Sequence, residues 1–356
     1  MEEAQAFQAR AGSSEAGDAK PLLIIRNLRV KLGRVQAVQH ASLTLYAGQA
    51  VALVGESGSG KSVTAMSVLG LLPDPPYRES TGTVVYDDGG GPQDLLTIDR
   101  PALTRVRGGE IAMIFQEPMT SLNPVLTIGK QLSESAMLHV KGETRAGARR
   151  RAIQALTEVG IDRPAERIDQ YPHEFSGGMR QRVMIAMALM GGPRVLIADE
   201  PTTALDVSAR AAMLELLGRL RTERGLGVLL ITHDLHTVQQ SADVVCVMRA
   251  GRVLEYGRTA EVFARPLHSY TRGLMQCEPS LLSRGKPLSM VDDQPNGGVG
   301  GLGRLCEVEP NRWVRVYDEV DLPSESSRSG SHPDIEPGHR APLSSRGSPT
   351  TPGPFG

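Results

Sequence analysis

Gly55-Glu56-Ser57-Gly58-Ser59-Gly60-Lys61-Ser62 is the stretch that decides the fold. It fits GxxxxGK[ST] throughout, follows the apolar run Ala50–Val54, and leads into a helical pattern over Val63–Leu69. Strand, glycine loop and helix in that order are the setting the pattern requires. Glycines permit positive φ and close backbone approach, so successive N–H groups can converge on phosphate oxygens. The start of the helix adds positive partial charge at the same place. On this reading Gly55, Glu56, Ser57, Gly58, Ser59, Gly60, Lys61 and Ser62 cradle a nucleotide. Lys61 bridges the β- and γ-phosphates of ATP, and the Ser62 hydroxyl ligates Mg2+. A Gly/Ser-rich turn with a chance lysine is the bland alternative, and it leaves the flanking strand and helix unexplained. A dinucleotide fingerprint fails, because Val63 stands where its third glycine belongs.

Two further strand ends supply matching chemistry. Val195-Leu196-Ile197-Ala198-Asp199-Glu200 is an apolar strand that finishes in two carboxylates. Asp199 suits the Mg2+ shell, and Glu200 suits activation of a water against the γ-phosphate. Such a pair alone is weak evidence, since it commonly caps the next helix. Ile231-Thr232-His233-Asp234 brings an imidazole to the same rim, where it can hydrogen-bond the γ-phosphate. His233 and His236 lack the cysteines or carboxylates that would complete a transition-metal site.

The strands expected are Ala50–Val54, Ile111–Phe115, Val195–Ala198 and Val228–Thr232. Each is short and apolar throughout, as strands covered on both faces are, and amphipathic segments lie between them. The class is therefore α/β, with patterned sequence over 22–273. Residues 1–21 read as a solvated tail without a signal core. Residues 279–356 hold 11 of the 24 prolines, so 274–356 is expected to be a Pro/Gly/Ser-rich, mostly disordered tail with a short ordered patch at Trp313–Tyr317.

Composition narrows the class from the other side. The 356 residues carry 39 Lys+Arg against 40 Asp+Glu, and only 4% are aromatic, which argues against a nucleic-acid partner. No run of eighteen apolar residues would span a bilayer. Three scattered cysteines form neither a disulfide framework nor a metal knuckle, so a reducing compartment is expected.

Together with Phe175-Ser176-Gly177-Gly178-Met179-Arg180-Gln181-Arg182, these motifs resemble the ATP-binding cassette (ABC) ATPases over about residues 22–273. The resemblance implies a P-loop NTPase (RecA-like) core with an antiparallel β subdomain and an α-helical signature subdomain at about 117–190. It places Ser176, Gly177 and Gly178 in the signature, a second anion site at a helix start, which binds nucleotide held by an opposing subunit. It gives Gln116 the role of linking the Mg2+ site to the helical subdomain, and His233 that of a switch beside catalytic Glu200. Ala204-Leu205-Asp206 matches the loop joining the two ATP sites, with Asp206 near nucleotide.

Phe115 to Pro124, Pro172-His173-Glu174-Phe175 and His268-Ser269-Tyr270-Thr271-Arg272 are similar to the oligopeptide/dipeptide permease ATPases, whose relatives import nickel or glutathione. The implied partners are a second ATPase subunit (self or sister), two transmembrane permease subunits and, indirectly, an external solute-binding protein. The implied location is peripheral, on the cytoplasmic face of the bacterial inner membrane. Two departures stand out. Leu32 lies near the place where the family stacks adenine on an aromatic ring. The tail holds only Cys277 and Cys306, too few to bind the iron–sulfur cluster found in some relatives. Two other readings explain less. A soluble ABC ATPase acting on DNA or ribosomes would need coiled-coil insertions or a second cassette, and a phosphoryl-transfer enzyme leaves Ser176 and His233 without a task.

Overall fold

The computed structural model describes residues 20–75, 77–115, 122–203, 205–277 and 303–316. Gln116, Ala204 and Tyr317, singled out above, lie outside the described residues.

Two kinds of sheet follow from two kinds of strand sequence. β1 (Pro21–Leu32), β2 (Val35–Tyr46), β4 (Arg78–Tyr86) and β5 (Gln93–Asp94) pair antiparallel in the order β5-β4-β1-β2. In β1 buried positions are interleaved with half-buried and exposed ones, as in a strand with one covered face. β3 (Ala50–Val54), β6 (Ile111–Ile114), β7 (Val195–Asp199), β8 (Gly227–Thr232) and β9 (Val244–Arg249) run parallel in the order β9-β3-β8-β7-β6. β3, β7 and β8 are buried along their whole length. β10 (Arg252–Arg258) turns back antiparallel to β9 and meets β2, which joins the two sheets.

The helices reflect their caps. α1 (Lys61–Val68) starts at the motif lysine, two residues before the helical pattern suggests. α2 (Arg100–Gly109) is capped by Asp99, whose side chain accepts from the Ala102 N–H. α3 (Ile128–His139), α4 (Arg145–Glu158), the single turn α5 (Pro164–Arg167) and α6 (Gly177–Leu189) make the helical layer. Thr127, Thr144 and Ser176 cap the three long ones through N–H groups of Lys130, Gly147 and Met179. Leu132, Ala136, Ala152, Leu156 and Ile185 form a core between these helices that is continuous with one face of the parallel sheet. α7 (Val207–Arg224), α8 (Leu235–Ser241), α9 (Thr259–Ala264) and α10 (Ser269–Gln276) cover the rest. No described helix is long and apolar enough to cross a membrane.

Order does not stop near 273. α10 runs to Gln276, and β11 (Arg304–Glu309) and β12 (Arg312–Val316) form a hairpin whose second strand pairs with β10. The patch expected around Trp313 is that second strand. Trp313 is buried in the main core, beside Leu305 and Tyr256. Composition averaged over a Pro/Gly-rich stretch hides two short strands of this kind, because their order comes from docking on β10 rather than from local propensity.

Candidate functional site

The phosphate loop sits between β3 and α1, pressed against neighbouring backbone. A Cβ on Gly55 would lie 2.0 Å from the Met248 carbonyl oxygen, so only glycine fits there. Gly60, the residue capping α1, has φ 103, and a Cβ on it would come 2.6 Å from the Ala37 carbonyl oxygen. It brings no capping side chain, so no side chain competes with an anion for the N–H groups at the start of α1.

Lys61 closes the loop from below. Its ammonium is buried and donates to the carbonyls of Gly55 and Glu56 at 2.8 Å each, with the Ser59 hydroxyl at 3.4 Å. Burial pushes the Lys61 ammonium below its ordinary value, against the opposing pull of Glu200, Asp199 and Glu56. At the next residue, the Ser62 hydroxyl donates to Asp199 Oδ1 at 3.2 Å. Burial raises the Asp199 carboxyl and Glu200 raises it further, while the Ser62 hydrogen bond and Lys61 lower it. A hydroxyl and a buried carboxylate in contact are hard oxygen donors suited to Mg2+, and a cation there would relieve the cost of burying Asp199.

Glu200 follows Asp199 and is turned sharply. Its φ is 48, a left-handed conformation that costs a non-glycine residue about 1–3 kcal/mol. Its N–H donates to the Ile231 carbonyl of β8 at 2.8 Å, which anchors the turn. The carboxylate is then held from two sides. The Thr203 hydroxyl donates to Oε2 at 2.9 Å, and Nδ1 of His233 lies 3.1 Å from Oε1. A carboxylate only accepts, so Nδ1 carries the proton in this pair. The next residue, Asp234, caps α8 and takes a hydrogen bond from Arg210 at 3.1 Å, which fixes the loop bearing His233.

The structure thus brings Lys61, Ser62, Asp199, Glu200 and His233 to one rim, at the ends of β3, β7 and β8. Ser176, Gly177 and Gly178 stand at the start of α6 in the helical layer. The Ser176 hydroxyl accepts from the Met179 N–H at 3.3 Å, and a Cβ on either glycine would meet nothing within 4 Å, which leaves that turn an open face. Asp206 caps α7 through the Ala209 N–H at 2.8 Å and is exposed. Leu32 ends β1 beside a turn in which the ring of Tyr77 packs against Gly33.

Three supporting groups escape a reading of the sequence. Thr203 looks like an ordinary turn residue. Tyr270, on α10, belongs to the His268–Arg272 stretch quoted above, but nothing in that stretch announces a contact with the loop: its hydroxyl lies 3.4 Å from the Glu56 N–H and its ring carries the Arg249 guanidinium at 4.7 Å. Burial, and then Glu56, push the Tyr270 phenol up to about 12, so it stays protonated. Met248, the carbonyl wedge on Gly55, has no polar side chain to mark it.

The family model described as ABC transporter matches residues 38–203. A dipeptide transport ATP-binding protein of Bacillus subtilis is 44% identical over 87% of this chain and 92% of its own length. A peptidoglycan transport ATP-binding protein of Agrobacterium fabrum is 52% identical over 74% of this chain, which spans only 48% of that longer relative. Among solved structures, a dimeric ATP-binding cassette in a post-hydrolysis state with ADP and Pi is similar at TM-score 0.58 and 26% identity. That similarity covers 67% of this chain and 98% of the cassette.

Proposed function

The chain belongs to the ABC transporter family, and on that premise we propose that it is the ATP-hydrolysing subunit of an importer of oligopeptides and dipeptides. The oligopeptide and dipeptide names of its relatives support the cargo. The observation that carries the hydrolytic role is the Glu200 carboxylate, clamped by Thr203 and His233 beside the Ser62–Asp199 pair.

The loop amides and Lys61 bind the phosphates, with Nζ exchanging the Gly55 and Glu56 carbonyls for phosphate oxygens. Ser62 and Asp199, with Gln116, would hold Mg2+, which would supply charge neutralisation on the phosphates. Glu200 orients the attacking water and takes its proton as the water oxygen bonds to the γ-phosphorus. The bond to the bridging oxygen then breaks, and ADP keeps that electron pair. His233 and Thr203 hold the Glu200 carboxylate in place through that transfer.

The open turn at Ser176, Gly177 and Gly178 meets the γ-phosphate of a nucleotide bound by a second ATPase subunit, a copy of this chain or a sister. Asp206, at the start of α7, lies in the loop between the two sites. ATP binding therefore closes a head-to-tail dimer and hydrolysis reopens it. Two membrane-spanning permease subunits follow that motion, fed by an external solute-binding protein. The chain sits peripherally on the cytoplasmic face of the bacterial inner membrane. Reconstitution of the full complex in liposomes tests this: ATP turnover should rise with a cognate peptide and its binding protein, and fall to background with Glu200→Gln. Peptide-independent turnover without uptake would contradict the transport role.

A further inference from the structure

The two sheets meet at β2 and β10, and the phosphate loop rests on that join. A single parallel bridge, Arg252 with His40, connects the strands. Backbone on both sides of it touches the loop. The Gly251 N–H donates to the Ser59 carbonyl at 2.8 Å, and the N–H groups of Gln39 and His40 donate to the Gly251 carbonyl at 2.7 and 3.0 Å. The Ala37 carbonyl, on the same strand, is the one that crowds Gly60.

With so short a ladder, side chains carry the join. Arg252 donates to Gln39 Oε1 from Nε at 3.0 Å and Nη2 at 2.7 Å, and Gln39 Nε2 donates to the Ala250 carbonyl at 3.1 Å. Another tie comes from the C-terminal hairpin. Arg315 of β12 is 3% exposed. Its Nε donates to the Val253 carbonyl of β10 at 2.7 Å, Nη1 to the Gly303 carbonyl at 2.9 Å, and Nη2 lies 3.1 Å from Nδ1 of His40 on β2. Burial first, then the charges of Arg315, Arg29 and Arg252, hold His40 down at about 4. The imidazole is neutral at pH 7, and Nδ1 accepts from the guanidinium. A planar fork suits this task, because one side chain must reach both strands at once.

We propose that Arg315 is a positioning residue for nucleotide binding, its guanidinium stapling β2 to β10 and so setting the phosphate loop against both strands. The inference rests on the ATP-site reading above. Without the fork, β2 loses a tie to β10, and Ala37 and Gly251 are the backbone on which Gly60 and Ser59 rest. A shift of about 1 Å in a binding constellation can cost up to about 100-fold, and with the Arg252–Gln39 tie still in place the expected loss is about tenfold.

The test is fluorescence titration of the full-length chain with a mant-labelled ATP, together with ATP turnover. Arg315→Met and His40→Ala should each raise the nucleotide Kd and the KM for ATP about tenfold, with kcat within about twofold. The double variant should bind no more weakly than either single one, since both remove the same tie. Trp313→Phe, which perturbs hairpin packing and leaves the join alone, should hold Kd within about twofold. His40 is only half-buried, so His40→Ala carries the test even if Arg315→Met fails to fold. Unchanged affinity in His40→Ala overturns the proposal, as does a Trp313→Phe loss equal to that of the staple variants. Equal binding by the wild-type chain and Lys61→Ala would instead show that the ATP-site reading has failed, and the staple with it.

Discussion

Arg312→Met should destabilise the folded chain by about 3 kcal/mol, because it strands a buried carboxylate. Arg312 and Glu255 are 2% and 0% exposed and lie 3.2 Å apart, inside the contact between β12 and β10. Removing one partner of such a pair costs about 3–5 kcal/mol. The low end applies here, because Glu255 keeps two neutral donors, the N–H groups of Leu267 and His268, at 3.0 Å each. Adding Glu255→Gln removes the stranded charge and should recover about half of the loss, a coupling of the size expected for residues in direct contact. Urea denaturation of the full-length chain reads this directly. Trp313 is the one tryptophan in the sequence, it is 3% exposed, and it neighbours Arg312 on the same strand. Its emission reports whether the hairpin is docked. A loss below about 1 kcal/mol for Arg312→Met, or native emission typical of a solvated indole, would refute the docked hairpin.

Other outcomes follow from the site. Gly55→Ala should abolish nucleotide binding in equilibrium titration, since its Cβ would lie 2.0 Å from the Met248 carbonyl and backbone must move. Burial lifts the Asp199 pKa in the folded state above its unfolded value, so its charged form opposes folding once the pH rises through that folded pKa. Asp199→Asn should therefore raise the melting temperature of the nucleotide-free chain near pH 7 while eliminating Mg2+-dependent turnover; a lowered melting temperature would contradict the burial argument. His233→Ala should cut turnover about 10- to 100-fold while leaving ATP affinity within about twofold, as expected for a group that orients the base.

The parallel core and the phosphate loop could be read from sequence because their determinants are local. Four apolar strand segments, a glycine pattern and two carboxylates at a strand end each lie within a few consecutive residues. Fine edges were harder. Ile111–Phe115 shortens to Ile114, and β7 extends to include Asp199, because hydrogen bonding to the neighbouring strand and not polarity sets where a strand ends. The Glu200 turn could not be seen at all: nothing local announces a left-handed glutamate, which exists because β8 holds its N–H and Thr203 and His233 hold its carboxylate. The hairpin was masked for a related reason. Trp313 hints at an ordered patch, but Arg312 and Arg315 look like surface residues in a polar tail, and only their partners Glu255, Val253 and His40, distant in sequence, make them interior.

The most direct test of the account is light scattering of the full-length Glu200→Gln chain with Mg·ATP, alone and mixed with the sister ATPase of its transporter. The account predicts a complex of twice the cassette mass that forms only with nucleotide and is lost when Ser176→Arg is added. A protein that stays monomeric in both mixtures while binding ATP, or a dimer indifferent to Ser176, would contradict it.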